Sequence, residues 1–331
     1  MAGMLLLVTA GAAGVATAQE GSKEPVVLVL GDEGQWEADA SMPRELVEVQ
    51  GLLARGKAKK AAKLAKKWVK ANPESPAIDE GYWLEGEALF AWGRYYQSFE
   101  AYEAMLDVSP GTEYFERALR REMEIARLFL AGKKRLVWGF IPASARTEGL
   151  EILDRVIDRW PASELAAEAL LEEAEFYFGR GRFVEAQATY QVIVESYSQS
   201  RYYREALLRS AESTHAQYAG PRYDSTCLVD AKVRYAQYRA RFPESAWELG
   251  IGARLSRIDW EMAQKHFVTG DYYERTGREE AAKYYYEYVM SHWPETEWAE
   301  HAMERYEPLL AQGRRGKGET EGAAGLDGAG G

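Results

Sequence analysis

One cysteine, Cys227, and four histidines stand among the 331 residues. A single thiol cannot close an internal disulfide, and without a second Cys there is no CxxC pair for zinc or thiol exchange. His215, His266, His292 and His301 fall in no HExxH or comparable metal spacing, so each is expected to be a packing or surface residue. GxSxG, Walker A and GxGxxG are all missing from the chain. After Ala18 no stretch approaches the ~18 uncharged apolar residues that a transmembrane helix needs. Positive charge is the minority sign: 41 Lys and Arg against 52 Asp and Glu give a net charge of −11. Such a chain is a poor generic ligand for phosphate backbones, which disfavours nucleic acid as a partner. These features predict no catalytic site, no metal and no cofactor.

What is present begins at the N-terminus. Met4 to Ala18 is apolar and ends in Ala16-Thr17-Ala18, an A-x-A pattern followed by Gln19. Residues 1–18 therefore read as a secretory signal peptide, although no Lys or Arg precedes the apolar core. The mature chain is expected to begin at Gln19 in the periplasm. Residues 19–43 form a lead-in, in which Pro25 to Leu30 reads as a short strand or extended arm. From 44 to 311 the apolar pattern is helical, punctuated by Gly and Pro. Residues 312–331 are Gly-rich without apolar periodicity and read as a disordered tail.

The helical body repeats itself. From His266 to Pro294, Gly270 is followed by Tyr273. Gly277 then marks a turn, Ala282 and Tyr286 line a second helix, and Pro294 closes the unit. The same frame recurs from Tyr82 to Pro110, with Gly86, Gly93 and Tyr102, and from Leu170 to Ser198, with Ala174, Gly181 and Tyr190. A weaker unit ends at Pro73. Two units with longer turns end at Pro161 and Pro243. A small residue for close helix crossing, a large aromatic to fill the gap, Gly at the turn and Pro at the end are marks of tetratricopeptide units. The expected fold is all-α: about six antiparallel helix pairs stacked as an α-solenoid superhelix.

Two segments stand out from the repeat. Lys133 to Pro142 is a long turn in which Lys134 and Arg135 are followed by Trp138 and Phe140, a basic and aromatic combination suited to a membrane surface or a partner. The competing reading is that this turn folds back over a neighbouring unit. In the other long turn, from Gly220 to Leu228, Asp224 or Ser225 is expected to cap the following helix. Lys57, Lys59, Lys60, Lys63, Lys66, Lys67 and Lys70 crowd one second helix. Five of them, Lys59, Lys63, Lys66, Lys67 and Lys70, share one face. That face is either a solubilising surface or a contact for acidic lipid or protein.

Three units close on an aromatic, Pro, any residue, then Ser or Thr: Trp160-Pro161-Ala162-Ser163, Phe242-Pro243-Glu244-Ser245 and Trp293-Pro294-Glu295-Thr296. With the extended turn of Gly220 to Phe242, these closures over residues 44–310 resemble the BamD family, the periplasmic repeat subunit of the outer-membrane β-barrel assembly machine. The resemblance implies a non-enzymatic scaffold contacting other envelope proteins. The family's lipidated Cys at the mature N-terminus has no counterpart at Gln19, so no lipid anchor is expected. Membrane contact is then expected to be peripheral or made through partners. The Tol-Pal coordinator YbgF has the same kind of repeats.

In stacked units the first helices line a groove. Equivalent positions there hold Trp83, Leu171 and Phe267; Glu87, Glu175 and Asp271; and Phe90, Phe178 and Glu274. An apolar residue beside a carboxylate in each unit predicts a partner segment with apolar anchors and Lys or Arg. Alternatively, the acids serve only solubility. Three functions remain compatible: a component of outer-membrane protein assembly, an adaptor for Tol-Pal or peptidoglycan machinery, and, remotely, a cell-wall hydrolase using a pair of carboxylates.

Overall fold

The computed structural model describes residues 28–30, 36–38, 42–137 and 141–324; for 28–30, 36–38, 137 and 312–324 the description is of backbone alone. The expected signal peptide lies outside the described residues. In the lead-in, β1 (Leu28–Leu30) and β2 (Trp36–Ala38) pair antiparallel, with Leu28 opposite Ala38. Among the described residues fourteen helices follow. They fall into two compact units, divided after Ala169.

The first unit holds α1 (Arg44–Ala54), α2 (Ala58–Ala71), α3 (Ile78–Ala91), α4 (Tyr95–Val108), α5 (Phe115–Leu130), the strands β3 (Lys134–Val137) and β4 (Ile141–Ser144), α6 (Arg146–Arg159) and the start of α7 (Glu164–Phe178). From α1 to α6 each helix packs on the next, and α1 also meets α3, so first helices of adjacent pairs touch. The second unit holds the rest of α7, α8 (Phe183–Ser196), α9 (Tyr203–His215), α10 (Thr226–Arg241), the short α11 (Pro243–Glu248), α12 (Ile251–Arg275), α13 (Glu279–His292) and α14 (Glu297–Ala324). Here α12 packs on α10, α13 and α14. The six pairs expected from the repeats are α1/α2, α3/α4, α5/α6, α7/α8, α9/α10 and α12/α13.

Two local devices cut the chain into pairs. Five of the six first helices end on a glycine with positive φ; α9 ends at Ala216 instead. At Gly93 (φ +77°) the glycine N–H donates to Phe90 C=O at 2.9 Å and the Arg94 N–H to Leu89 C=O at 2.8 Å. The same two-bond closure recurs at Gly56, Gly132, Gly181 and Gly277. A basic residue follows each of these glycines: Lys57, Arg94, Lys133, Arg182 and Arg278. It sits where the helix dipole favours positive charge. Second helices end differently. Proline pushes the residue before it out of the helical region, as at Trp160 (φ −141°, ψ 62°). The Ser or Thr two residues past the proline then starts the next helix. Ser163 N–H bonds Trp160 C=O at 3.1 Å, and Ser163 Oγ accepts from the Ala166 N–H at 3.0 Å. In the long turn before α10 the carboxylate of Asp224 accepts from the Thr226 N–H at 3.3 Å, while Ser225 makes no capping bond.

Small residues and tyrosines set the packing within pairs. A Cβ on Gly86 would lie 2.2 Å from the Tyr102 ring, and one on Gly270 would lie 2.8 Å from the Tyr286 ring. Tyr102, Tyr190 and Tyr286 are completely buried, and Tyr235 nearly so. The structure departs from the sequence reading in three places. The turn after α5 is a β-hairpin, Val137 pairing with Ile141, rather than an irregular loop. α12 starts well before His266, because residues 251–265 keep a helical apolar pattern that the repeat frame left out. α14 continues to Ala324, into the segment that composition assigns to a tail.

Candidate functional site

Glu87 on α3 is not a free carboxylate. It accepts the Tyr102 hydroxyl from α4 at 2.6 Å and takes Arg121 of α5 in a two-bond fork, at 2.8 and 2.9 Å. Arg121 also reaches Glu124 at 2.8 Å, and its guanidinium covers the Phe90 ring at 4.9 Å. Burial and the neighbouring Glu87 hold the Tyr102 hydroxyl far above the usual phenol range. Trp83 is buried and stacked on Tyr114 at 5.2 Å, with the Arg117 guanidinium 4.6 Å from its ring and 5.2 Å from that of Tyr114.

The second unit repeats this link. Glu175 accepts the Tyr190 hydroxyl at 2.6 Å and pairs with Arg209 of α9 at 3.0 Å. Arg209 covers Phe178 at 5.2 Å. It also pairs with Glu212 at 3.0 Å, and Glu212 in turn binds Arg254 of α12. Charges thus alternate from α7 through α9 to α12. In the last pair Glu274 accepts the Tyr286 hydroxyl at 2.6 Å and Arg305 of α14 at 3.0 Å. Asp271 pairs with Arg275 at 3.0 Å and lies 3.6 Å from Arg305. Phe267 is half-buried against Tyr286 and Trp298, and Leu171 is half-buried on α7.

Of the acid positions read from the sequence, Glu87, Glu175 and Glu274 each accept the tyrosine hydroxyl of their own pair, whereas Asp271 does not. Their partner was missed: an arginine two helices on, at the start of the next pair, that neutralises the acid and, at Phe90 and Phe178, covers the ring. Its signal was available. Tyr102 follows Glu87, and Arg121 follows Tyr102, at the same intervals that separate Glu175, Tyr190 and Arg209. In ion pairs that are a fifth to just over a third exposed, much of the carboxylate charge is spent inside the protein.

Counting back from the glycine that closes the first helix, Glu122 of α5 occupies the place of Trp83, Leu171 and Phe267. It is completely buried, and among the described residues neither of its oxygens meets a hydrogen-bond donor. Burial, reinforced by the charge of Glu103, raises its pKa well above the usual carboxyl range.

At its base the β3–β4 hairpin lies against α6 of its own helix pair and α4 of the preceding one. Arg135 lies 2.7 Å from Glu148 and over the Tyr96 ring at 4.9 Å, and Lys133 lies over Tyr95 at 5.5 Å. Lys134, Leu136 and Ile141 are exposed. Trp138 and Phe140 lie outside the described residues. A further exposed aromatic, Trp247 on α11, is 88% accessible, and the repeat frame gave no hint of it. Among the described residues no cluster of His, Cys, Asp or Glu has the arrangement of a metal site, and no helix is long and apolar enough to cross a membrane.

Residues 143–309, just over half of the 331, match the model of a family described as YfiO, outer membrane lipoprotein. No curated protein matches the sequence. Similar solved structures include a tetratricopeptide repeat protein from Parabacteroides merdae, at 13% identity over 80% of this chain and 98% of that one, TM-score 0.34. They also include the MamA protein, at 12% identity over 61% and 92%, TM-score 0.35. A thermophilic tetratricopeptide repeat protein from Thermus thermophilus shows 16% identity over 65% and 96%, TM-score 0.28.

Proposed function

The chain belongs to the YfiO (BamD) family of outer membrane lipoproteins, and we propose on that basis that it is an exported protein-binding scaffold in outer-membrane β-barrel assembly. The observation that carries this reading is the family match itself, which runs from β4 into α14 and takes in the helix pairs of the second unit. An array of helix pairs offers side chains for contact along its first helices. Its partners are other envelope proteins, with membrane contact peripheral or made through them.

Contact is assigned to the exposed faces of the first helices within each unit: around Glu87, Phe90 and Arg121 in one, and around Glu175, Phe178, Arg209, Phe267, Asp271 and Glu274 in the other. Because each acid already has an arginine, the partner meets paired charges and the aliphatic and aromatic edges between them. Salt steering is then weaker than a uniformly acidic groove would give. Capture of the exported protein from envelope extracts, followed by identification of bound chains, tests the function. β-barrel assembly components and barrel precursors are expected. Recovery of peptidoglycan-associated factors alone would replace this reading with that of a Tol-Pal or cell-wall adaptor.

A further inference from the structure

α2 divides into two faces of opposite character. Ala61, Ala62, Ala65, Trp68 and Val69 are buried in the core of the first unit. Lys57 at the helix start, Lys59, Lys60, Lys63, Lys66, Lys67 and Lys70 are all exposed, and the helix contains no Asp or Glu. Seven positive charges along ~21 Å of helix stand out on a chain whose net charge is −11. Lys66 is three-quarters exposed and only 3.9 Å from Glu85, and Lys59 lies 5.5 Å over the Trp92 ring. The residues matched by the family model begin after this helix, at 143.

We propose that the lysine face of α2 docks the protein onto an anionic phospholipid surface. Three observations select lipid phosphate over an acidic protein segment. The face carries lysine alone, a compact point charge suited to a diffuse field of phosphates; elsewhere this chain grips carboxylates mainly with the forked guanidinium of arginine, as at Glu87 and Glu175. It has no exposed aromatic or aliphatic anchor of the kind that dominates protein interfaces, where lysine is depleted. Its apolar side is already committed to the core, so the helix cannot insert and attraction is electrostatic only. Binding is therefore shallow, reversible and salt-labile.

The test is flotation of the whole exported protein with vesicles of phosphatidylglycerol and phosphatidylcholine, against vesicles of phosphatidylcholine alone. The variant is Lys60→Gln, Lys63→Gln, Lys67→Gln and Lys70→Gln together; Lys and Gln have similar helix propensity, so the fold is retained. The control replaces Arg204, Arg222, Arg239 and Arg257 of the second unit with Gln, giving the same change in net charge. At about 0.05 M salt the wild type is expected to float with anionic vesicles and not with neutral ones. Each lysine near the surface contributes about five-fold in partitioning, so the lysine variant should bind a hundred-fold or more weaker and the control only a few-fold weaker. Raising salt to about 0.5 M should release the wild type. Equal flotation with both vesicle types, equal loss in both variants, or no flotation of the wild type would overturn the proposal. So would binding of a poly-glutamate peptide through these lysines by a protein that ignores vesicles. Circular dichroism of both variants guards against misfolding.

Discussion

Replacing Glu87 by Ala separates a structural link from a surface charge. The substitution removes the acceptor of the Tyr102 hydroxyl, whose side chain is fully buried and which donates to Glu87 at 2.6 Å, leaving it Ser98 alone nearby. A stranded buried hydroxyl costs about 1–3 kcal/mol. Loss of the Arg121 pair adds about 0.2–1 kcal/mol, because that pair is partly exposed and Arg121 keeps Glu124. The expected destabilisation is about 2 kcal/mol, against less than about 0.5 kcal/mol for an ordinary surface acid. The assay is urea unfolding followed by circular dichroism, with Tyr102→Phe and the double variant completing a cycle. Once the hydroxyl is gone, removing Glu87 should cost much less, giving a coupling of about 1 kcal/mol or more. Additive effects, with Glu87→Ala near neutral, would refute the claim that the first-helix acid ties three helices together. The same logic applies to binding experiments. A variant with all the groove acids changed to Ala would remove the acceptors of the buried Tyr102, Tyr190 and Tyr286 hydroxyls and leave Arg121 and Arg209 only Glu124 and Glu212, so lost binding could not be told from lost structure.

Three further outcomes follow from the packing and the buried charge. Tyr286→Ala should cost about 3–5 kcal/mol in unfolding free energy, since it empties the space between α12, α13 and α14; a change below about 1 kcal/mol would place the tyrosine outside the core. Gly86→Ala should destabilise, measurable as a lower urea midpoint, despite the better helix propensity of Ala: the new methyl would sit 2.2 Å from a ring that is itself locked by Glu87. Glu122 binds its proton more tightly folded than unfolded. Above the unfolded carboxyl pKa of about 4.3 the native state therefore holds more protons, and stability falls as pH rises toward the native value. Unfolding of Glu122→Gln and wild type should agree near pH 3, with the variant gaining on the wild type as pH increases; parallel curves would contradict this.

Pair boundaries were legible because they rest on local chemistry: a glycine that must take positive φ, a proline that must end a helix, a Ser or Thr that starts the next. Tyr102, Tyr190, Tyr235 and Tyr286 were legible as second-helix residues, and their burial follows from the small residues opposite. The arginine links are not legible within a single repeat, because the partner lies in the next one. Trp83 was placed in a groove, yet it is buried by Tyr114 and Arg117, residues whose approach depends on how α5 crosses α3. The hairpin after α5 escaped notice because Lys134 to Ser144 has no clean alternation. Glu122 escaped because a carboxylate in an apolar register reads as a break in the pattern rather than as a buried acid.

Depletion of the protein in its native cells, followed by quantitation of outer-membrane β-barrel proteins in their folded, heat-modifiable form, addresses the assembly role itself. A scaffold of barrel assembly predicts a broad fall in folded barrels, with unfolded precursors accumulating in the periplasm and peptidoglycan cross-linking unchanged at early times. Normal levels of folded barrel proteins together with an early cell-wall defect would contradict it.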